Sequence, residues 1–199
     1  YQKKEFEAAL SWLNKISAYD VDADDKDEFY FKLGYANFQE NNFPEARSAF
    51  YEVRNSTSQY GAPSLYYYSH IAYNEKSYQI ALEGFEKLLT DKRFKEVVPY
   101  YITQIYYLQG RYNDVTKFAP AFADSVKSTS LSNMNHLIGD AFFRLGKYDE
   151  AVLYLEMYNL KSNTTREEDY QLGYAHYRSS NYDKAIQLFD RVSQVKDTL

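Results

Sequence analysis

The sequence predicts an all-α solenoid of antiparallel helix hairpins, on three observations. An aromatic residue recurs at Phe43, Tyr78, Tyr112, Tyr148 and Tyr182, with spacings of 35, 34, 36 and 34 residues. A small residue follows each of them three places on, at Ala46, Ala81, Val115, Ala151 and Ala185. Glycine (7) and proline (4) are scarce in the 199 residues, which favours helices over turn-rich β architecture. A fixed period of this length means that each copy is one supersecondary unit stacked on the next.

The elements follow in order. Residues 2–26 read as the second helix of a preceding repeat and a loop, with Phe6 and Ala9 in register 37 residues before Phe43. The first full hairpin occupies 27–61. Phe29, Leu33 and Ala36 share one side of its first helix, Glu40, Asn41 and Asn42 break it, and Ala46, Phe50 and Val53 resume the helical period. Repeats at 62–95, 96–131, 132–165 and 166–199 complete a single array over 1–199. Small residues fall at matched sites on the two helices: Gly34 with Ala46, Ser69 with Ala81, Thr103 with Val115, Gly139 with Ala151, Gly173 with Ala185. Antiparallel helices need small side chains where their axes approach, while Phe50, Phe85, Leu155 and Phe189 are expected to fill the space between repeats. Pro120 falls inside the expected second helix of the third repeat and predicts an early stop or a kink there.

These residues resemble the tetratricopeptide family, whose 34-residue pattern is W-x2-L-G-x2-Y, then A-x3-F, then P. The best copies are Tyr30, Leu33 and Gly34 with Ala46 and Phe50; Asn135, Ile138 and Gly139 with Ala151 and Leu155; and Leu172 and Gly173 with Ala185 and Phe189. The closing proline is missing from every copy, and Thr103, Val115 and Ala119 make the third copy irregular. The resemblance covers nearly the whole chain and implies a right-handed superhelix whose first helices line a concave face.

Composition excludes several function classes. The net charge of −5 and pI near 5.3 give no attraction to phosphate backbones, so nucleic acid is not an expected partner. No apolar run approaches the roughly 20 residues of a membrane span. Zero cysteines rule out disulfides and thiolate chemistry and suit reducing and oxidising compartments equally. The chain starts at Tyr1 partway through a repeat, and the last helix, with Ala185, Ile186, Phe189 and Val192, has no polar cap after it. A piece of a longer protein is therefore expected, its apolar ends covered by neighbouring repeats or meeting another chain. Tyrosine- and asparagine-rich arrays without cysteine are similar to those of long bacterial cell-envelope repeat proteins, which implies the periplasm or envelope over the cytoplasm.

No catalytic set is visible, and no cofactor is expected. His70 and His136 fall two repeats apart, too far to share a metal at about 8–10 Å per helix packing distance. His176 stands where the family pattern has a packing tyrosine. The acidic stretch from Asp20 to Glu28 opens like a calcium loop, but Asp25 and Phe31 occupy positions that require glycine and glutamate. Its carboxylates are expected to cap and charge-complement the next helix. The glycan-acceptor matches at Asn55 and Asn163 and the isolated Gly84, Gly110 and Gly146 are assigned no function.

The family's repeat positions 5, 9 and 12 point into the concave face, and their four-and-three spacing makes one stripe along a helix. By that resemblance the ligand groove here consists of Phe31, Tyr35, Phe38, Tyr66, His70, Tyr73, Tyr100, Gln104, Tyr107, His136, Asp140, Phe143, Tyr170, Tyr174 and Tyr177. Eleven of these fifteen are Phe or Tyr, against about three expected from an aromatic content of 19%. Either the rings pack on neighbouring first helices, or they form an aromatic floor that stacks on a ligand. The family's carboxylate clamp is incomplete, with only Lys32, Arg144 and Arg178 near matching places; Arg144 and Arg178 remain available for acidic groups. The leading expectation is a non-enzymatic scaffold for an extended peptide or partner segment. A glycan or cell-wall polymer in the same groove, or a spacer role in a larger assembly, are the alternatives.

Overall fold

The computed structural model describes residues 2–160 and 163–194; the ends of the repeats drawn to 165 and 199 lie partly outside them. The described residues are all-α, without a strand, and divide into two compact units, residues 1–98 and 99–199. The first unit holds α1 (Gln2–Leu13), α2 (Lys26–Gln39), α3 (Phe43–Val53), α4 (Gly61–Asn74) and α5 (Tyr78–Lys87). In the second, which takes in α6 (Val98–Leu108) from Pro99 onward, follow α7 (Tyr112–Phe118), α8 (Ser128–Arg144), α9 (Tyr148–Asn159), α10 (Arg166–Arg178) and α11 (Tyr182–Gln194). No helix among the described residues is long and apolar enough to cross a membrane.

Every hairpin turns by the same device. The first helix ends in a residue with positive φ: Asn41 (63°), Lys76 (61°), Gly110 (69°), Gly146 (73°) and Ser180 (62°). The next amide then reaches back over the helix end, from Asn42 to the Asn37 carbonyl at 2.9 Å and from Ser77 to Ala72 at 2.8 Å. Arg111 to Tyr106, Lys147 to Phe142 and Asn181 to His176 repeat the bond at 2.9, 3.0 and 2.8 Å. This is the left-handed helix stop that satisfies orphan carbonyls. An aromatic pair closes over each turn. Phe38–Phe43, Tyr73–Tyr78, Tyr107–Tyr112, Phe143–Tyr148 and Tyr177–Tyr182 have ring centroids 5.7, 6.1, 5.5, 5.6 and 5.9 Å apart. The periodic aromatics that mark the repeat are the second members of these pairs.

The close approach inside a hairpin differs from the expected pairing of small with small. A Cβ at Gly34 would stand 2.8 Å from the Phe50 ring, one at Gly139 2.8 Å from Leu155, and one at Gly173 2.9 Å from Phe189. Glycine therefore opposes the large residue of the second helix. Phe50, fully buried, also stacks on Tyr67 of the next hairpin at 5.2 Å, so one ring fills both spaces. In the second hairpin Ser69 replaces the glycine, and Gly84 provides the room: a Cβ there would lie 1.9 Å from Ser69 Oγ. The buried Ser69 and Thr103 hydroxyls donate to the Leu65 and Pro99 carbonyls at 2.7 and 2.8 Å, the back-bonding available to hydroxyls inside a helix.

The third repeat is irregular at Pro120. α7 spans only 7 residues and gives way to a 3-10 turn over Ala119–Phe122, after which α8 begins at Ser128, ahead of the boundary expected at 132. The acidic stretch forms a 3-10 turn at Ala23–Asp25. Asp25, at the N-cap of α2, makes no side-chain capping bond, so the stretch acts through Asp27 and Glu28 in the first turn, where negative charge suits the helix dipole. A capping box occurs instead at Thr165, whose hydroxyl accepts from the Glu168 amide at 3.2 Å while Glu168 accepts from the Thr165 amide at 2.7 Å. The second glycan-acceptor match is thus a helix start. At the other end of the chain, Ile186 on α11 is 58% exposed.

Candidate binding face

Of the six expected residues in the first unit, Phe31, Tyr35, Phe38, Tyr66 and His70 join in one layer of ring contacts across α2 and α4. Phe31 stacks along its helix on Tyr35 at 6.1 Å, and Tyr35 meets Tyr67 edge-on at 5.5 Å. Phe38 contacts Tyr67 at 5.0 Å and His70 at 5.9 Å. Tyr66 stacks on Phe94 at 4.7 Å, and Tyr73 closes its own turn against Tyr78. All six are half-buried. Tyr67, absent from the expected set, joins the two helices through Tyr35, Phe38 and Phe50. Burial pushes its phenol pKa up, with Tyr35 adding to the shift, and burial holds His70 below the usual imidazole range.

In the second unit the corresponding face is more polar. Asp140, on α8, is 7% exposed and accepts three hydrogen bonds. Tyr107 Oη on α6 and Gln171 Nε2 on α10 each donate at 2.5 Å, and Arg144 Nε, one turn along α8, forms the ion pair. Burial pushes the Asp140 carboxyl up, but these three donors and the Arg144 charge outweigh it and hold it below the usual range. Burial and the bond to Asp140 push Tyr107 up to about 12, and Arg144 is held more firmly protonated by the same carboxylate. Asp140 therefore ties three successive first helices together; its oxygens are committed inside the protein. Gln104 donates to Tyr100 Oη at 3.1 Å. His136 lies flat on Tyr158 at 4.5 Å, with Nε2 3.7 Å from Glu168.

At the far end of this face Phe143, Tyr148 and Tyr174 form a triangle with edges of 5.6, 5.8 and 5.9 Å, and Tyr174 neighbours Tyr170 and Tyr177 at 6.5 and 6.4 Å. Tyr170 and Tyr177 are 54% and 52% exposed, the most open rings of the expected set. Arg178 lies over Tyr148 at 4.5 Å and Tyr174 at 5.8 Å, and its Nη1 donates to both phenol oxygens at 3.3 and 3.2 Å. The phenols hold the guanidinium above its ordinary pKa.

Tyr67 completes the face of the first unit, and Tyr148 and Gln171 that of the second, without being part of the expected set. Tyr148 carried a signal as a repeat marker, and Tyr67 sits in the run Tyr66–Tyr68, from which the register selected only Tyr66. His176 is fully buried against Glu156, its Nε2 at 3.2 Å, as a packing residue. Among the described residues no three His, Asp or Glu side chains are placed to hold a metal ion.

Together these features define an all-α fold of stacked helical-hairpin repeats. No family model and no curated protein matches the sequence. Among solved structures the chain is similar to MamA of strain AMB-1, with a TM-score of 0.72 and 13% identity over 88% of this chain and 94% of that one. It is similar also to MamA from Desulfovibrio magneticus RS-1, with a TM-score of 0.66 and 16% identity over 86% of this chain and 98% of that one. At such identities the likeness is one of fold.

Proposed function

We propose that the chain is a non-enzymatic protein-interaction scaffold that holds an extended peptide or partner segment against the aromatic faces of its first helices. The observation that carries this reading is the open cluster of Tyr170, Tyr174 and Tyr177 beside Arg178. Two of these rings are more than half exposed, at 54% and 52%, although they continue a stripe whose other rings are at least partly covered. Rigid tyrosines bring large contact area at small entropic cost, and their hydroxyls supply hydrogen bonds. The half-buried rings of the first unit brace neighbouring helices and keep part of their surface exposed, so in this reading packing and recognition share the same side chains.

The test is a titration of peptides selected from a random linear library, against the wild-type chain and against Tyr170→Ala and Tyr177→Ala. Both positions are exposed, so the variants retain the helical signal. A loss of about tenfold in affinity supports the reading. Unchanged affinity in both variants, or selective capture of glycans and not peptides on an array, contradicts it.

A further inference from the structure

One pair of positions, twelve residues apart on the two helices of each hairpin, is filled differently from repeat to repeat: Asn37 and Ala49, Ala72 and Gly84, Tyr106 and Phe118, Phe142 and Tyr154, His176 and Leu188. In the third and fourth repeats both are rings, which meet across the hairpin at 5.8 and 5.7 Å. The second repeat, with two small residues, closes by bringing Gly84 onto Ser69. In the fifth the ring pair is gone, and a cavity of about 860 Å³ opens against α9, α10 and α11, lined by both His176 and Leu188. The first repeat, with Asn37 and Ala49, has a smaller cavity of about 590 Å³ at the same two positions.

The cavity of the fifth repeat has a definite hydrogen-bonding character. His176, 1% exposed, holds Nε2 3.2 Å from Glu156. An ionised carboxylate requires the proton on Nε2, so Nδ1 of the neutral ring carries a bare lone pair. Among the described residues Nδ1 has no hydrogen-bond partner, and neither has the buried Asn159 Oδ1 on the α9 wall. The charges at the cavity pair with each other, Lys184 with Glu156 and Arg191 with Asp169, both at 2.5 Å. Leu160, Leu172 and Leu188 supply apolar wall.

We infer that this cavity binds a small neutral aromatic molecule bearing an N–H or O–H, whose ring takes the place of the ring pair of repeats three and four and whose donor bonds to His176 Nδ1. The shape argues for a ring, because rings fill these positions in the two preceding repeats. The two buried acceptors argue for a donor, since a buried acceptor left unpaired is costly. The matched ion pairs argue for a neutral ligand, because each charge already has its partner. Indole and phenol are the simplest members of the class. The site shares no lining residue with the proposed peptide face and does not depend on it.

The experiment titrates 5-fluoroindole into the full chain and follows its fluorine NMR linewidth, beside 5-fluorobenzofuran, which has the same shape and no N–H. In parallel, nitrogen-15 NMR of histidine-labelled protein follows the His176 Nδ1 signal, assigned by its loss in His176→Phe. The expected result is binding of 5-fluoroindole, at least about tenfold weaker binding of 5-fluorobenzofuran, and a shift of Nδ1 with the indole alone. His176→Phe removes the acceptor and returns a ring to the position, as Phe142 does in the fourth repeat, so indole binding is lost. Gln187→Trp places bulk at an exposed lining position and also abolishes binding, with the buried side of the cavity untouched. Leu153→Ala, exposed on α9 and outside the cavity, leaves it unchanged. No binding of 5-fluoroindole to the wild-type chain, equal affinity for the two probes, or binding retained in both His176→Phe and Gln187→Trp overturns the inference.

Discussion

Gly34 lies directly against the buried ring of Phe50: a Cβ at Gly34 would stand 2.8 Å from Phe50 Cδ1 and Cε1. Since Phe50 is itself stacked on Tyr67, the ring has no free direction in which to retreat. Gly34→Ala gains about 1 kcal/mol of helix propensity but overpacks the hairpin by about 1–3 kcal/mol, so a net loss is expected. Urea unfolding checks it, and the double variant with Phe50→Leu recovers part of the loss because the two sites are coupled.

Three of the five left-handed turn positions carry side chains: Asn41, Lys76 and Ser180. For lysine that conformation costs about 1–2 kcal/mol, and glycine returns some of this through its larger unfolded-state entropy. Lys76→Gly is therefore expected to stabilise the chain by up to about 1 kcal/mol, and Gly146→Ala at the equivalent turn to destabilise it by about 1 kcal/mol. Opposite signs in thermal melts are the outcome to look for.

The Asp140 cluster makes stability depend on pH at both extremes. Its carboxyl is held below the unfolded value, so its contribution is present above about pH 4 and is lost as pH falls through the folded pKa. Tyr107 is raised to about 12, so its contribution is complete below about pH 10 and is lost as pH rises through that folded value. Asp140→Asn should cost about 1–3 kcal/mol at neutral pH by weakening the bonds to Tyr107, Arg144 and Gln171, and should flatten the acid limb. Tyr107→Phe should flatten the alkaline limb while leaving the acid limb in place.

Burial holds the His176 imidazole below its ordinary pKa against the pull of Glu156. The unfolded chain then binds the extra proton first, so this contribution is present above about pH 6.5 and is lost as pH falls through the lower folded value. Among the described residues the His176 Nδ1 also has no hydrogen-bond partner, although it is buried. His176→Phe is expected to remove that pH dependence, which unfolding curves between pH 5 and about 7 would reveal.

The hairpins were legible because their determinants recur at fixed places: the ring that opens each second helix always closes on a partner five residues earlier. The turn conformation was less so, since glycine announces it at Gly110 and Gly146 while Asn41, Lys76 and Ser180 adopt it at a cost that packing absorbs. Gly34 is a close-approach site, as its place in the repeat suggests, but its opposing group is the Phe50 ring, because the tightest contact falls one turn beyond Ala46. The Asp140 cluster is not legible in the sequence because its partners Tyr107 and Gln171 lie 33 and 31 residues away, one on each neighbouring first helix. Tyrosine was favoured over phenylalanine on this face partly for internal reasons: the phenols of Tyr100, Tyr107, Tyr148 and Tyr174 all have partners within the protein.

The most direct measurement places a photo-crosslinking benzoylphenylalanine at Tyr177, on the proposed face, and in a second protein at Leu153, which is 57% exposed on α9. Each is irradiated with a saturating selected peptide, and the adducts are mapped by mass spectrometry. The scaffold reading predicts peptide adducts from position 177 and none above background from position 153. Adducts at 153 with none at 177 would place the contact surface on the second helices and contradict it.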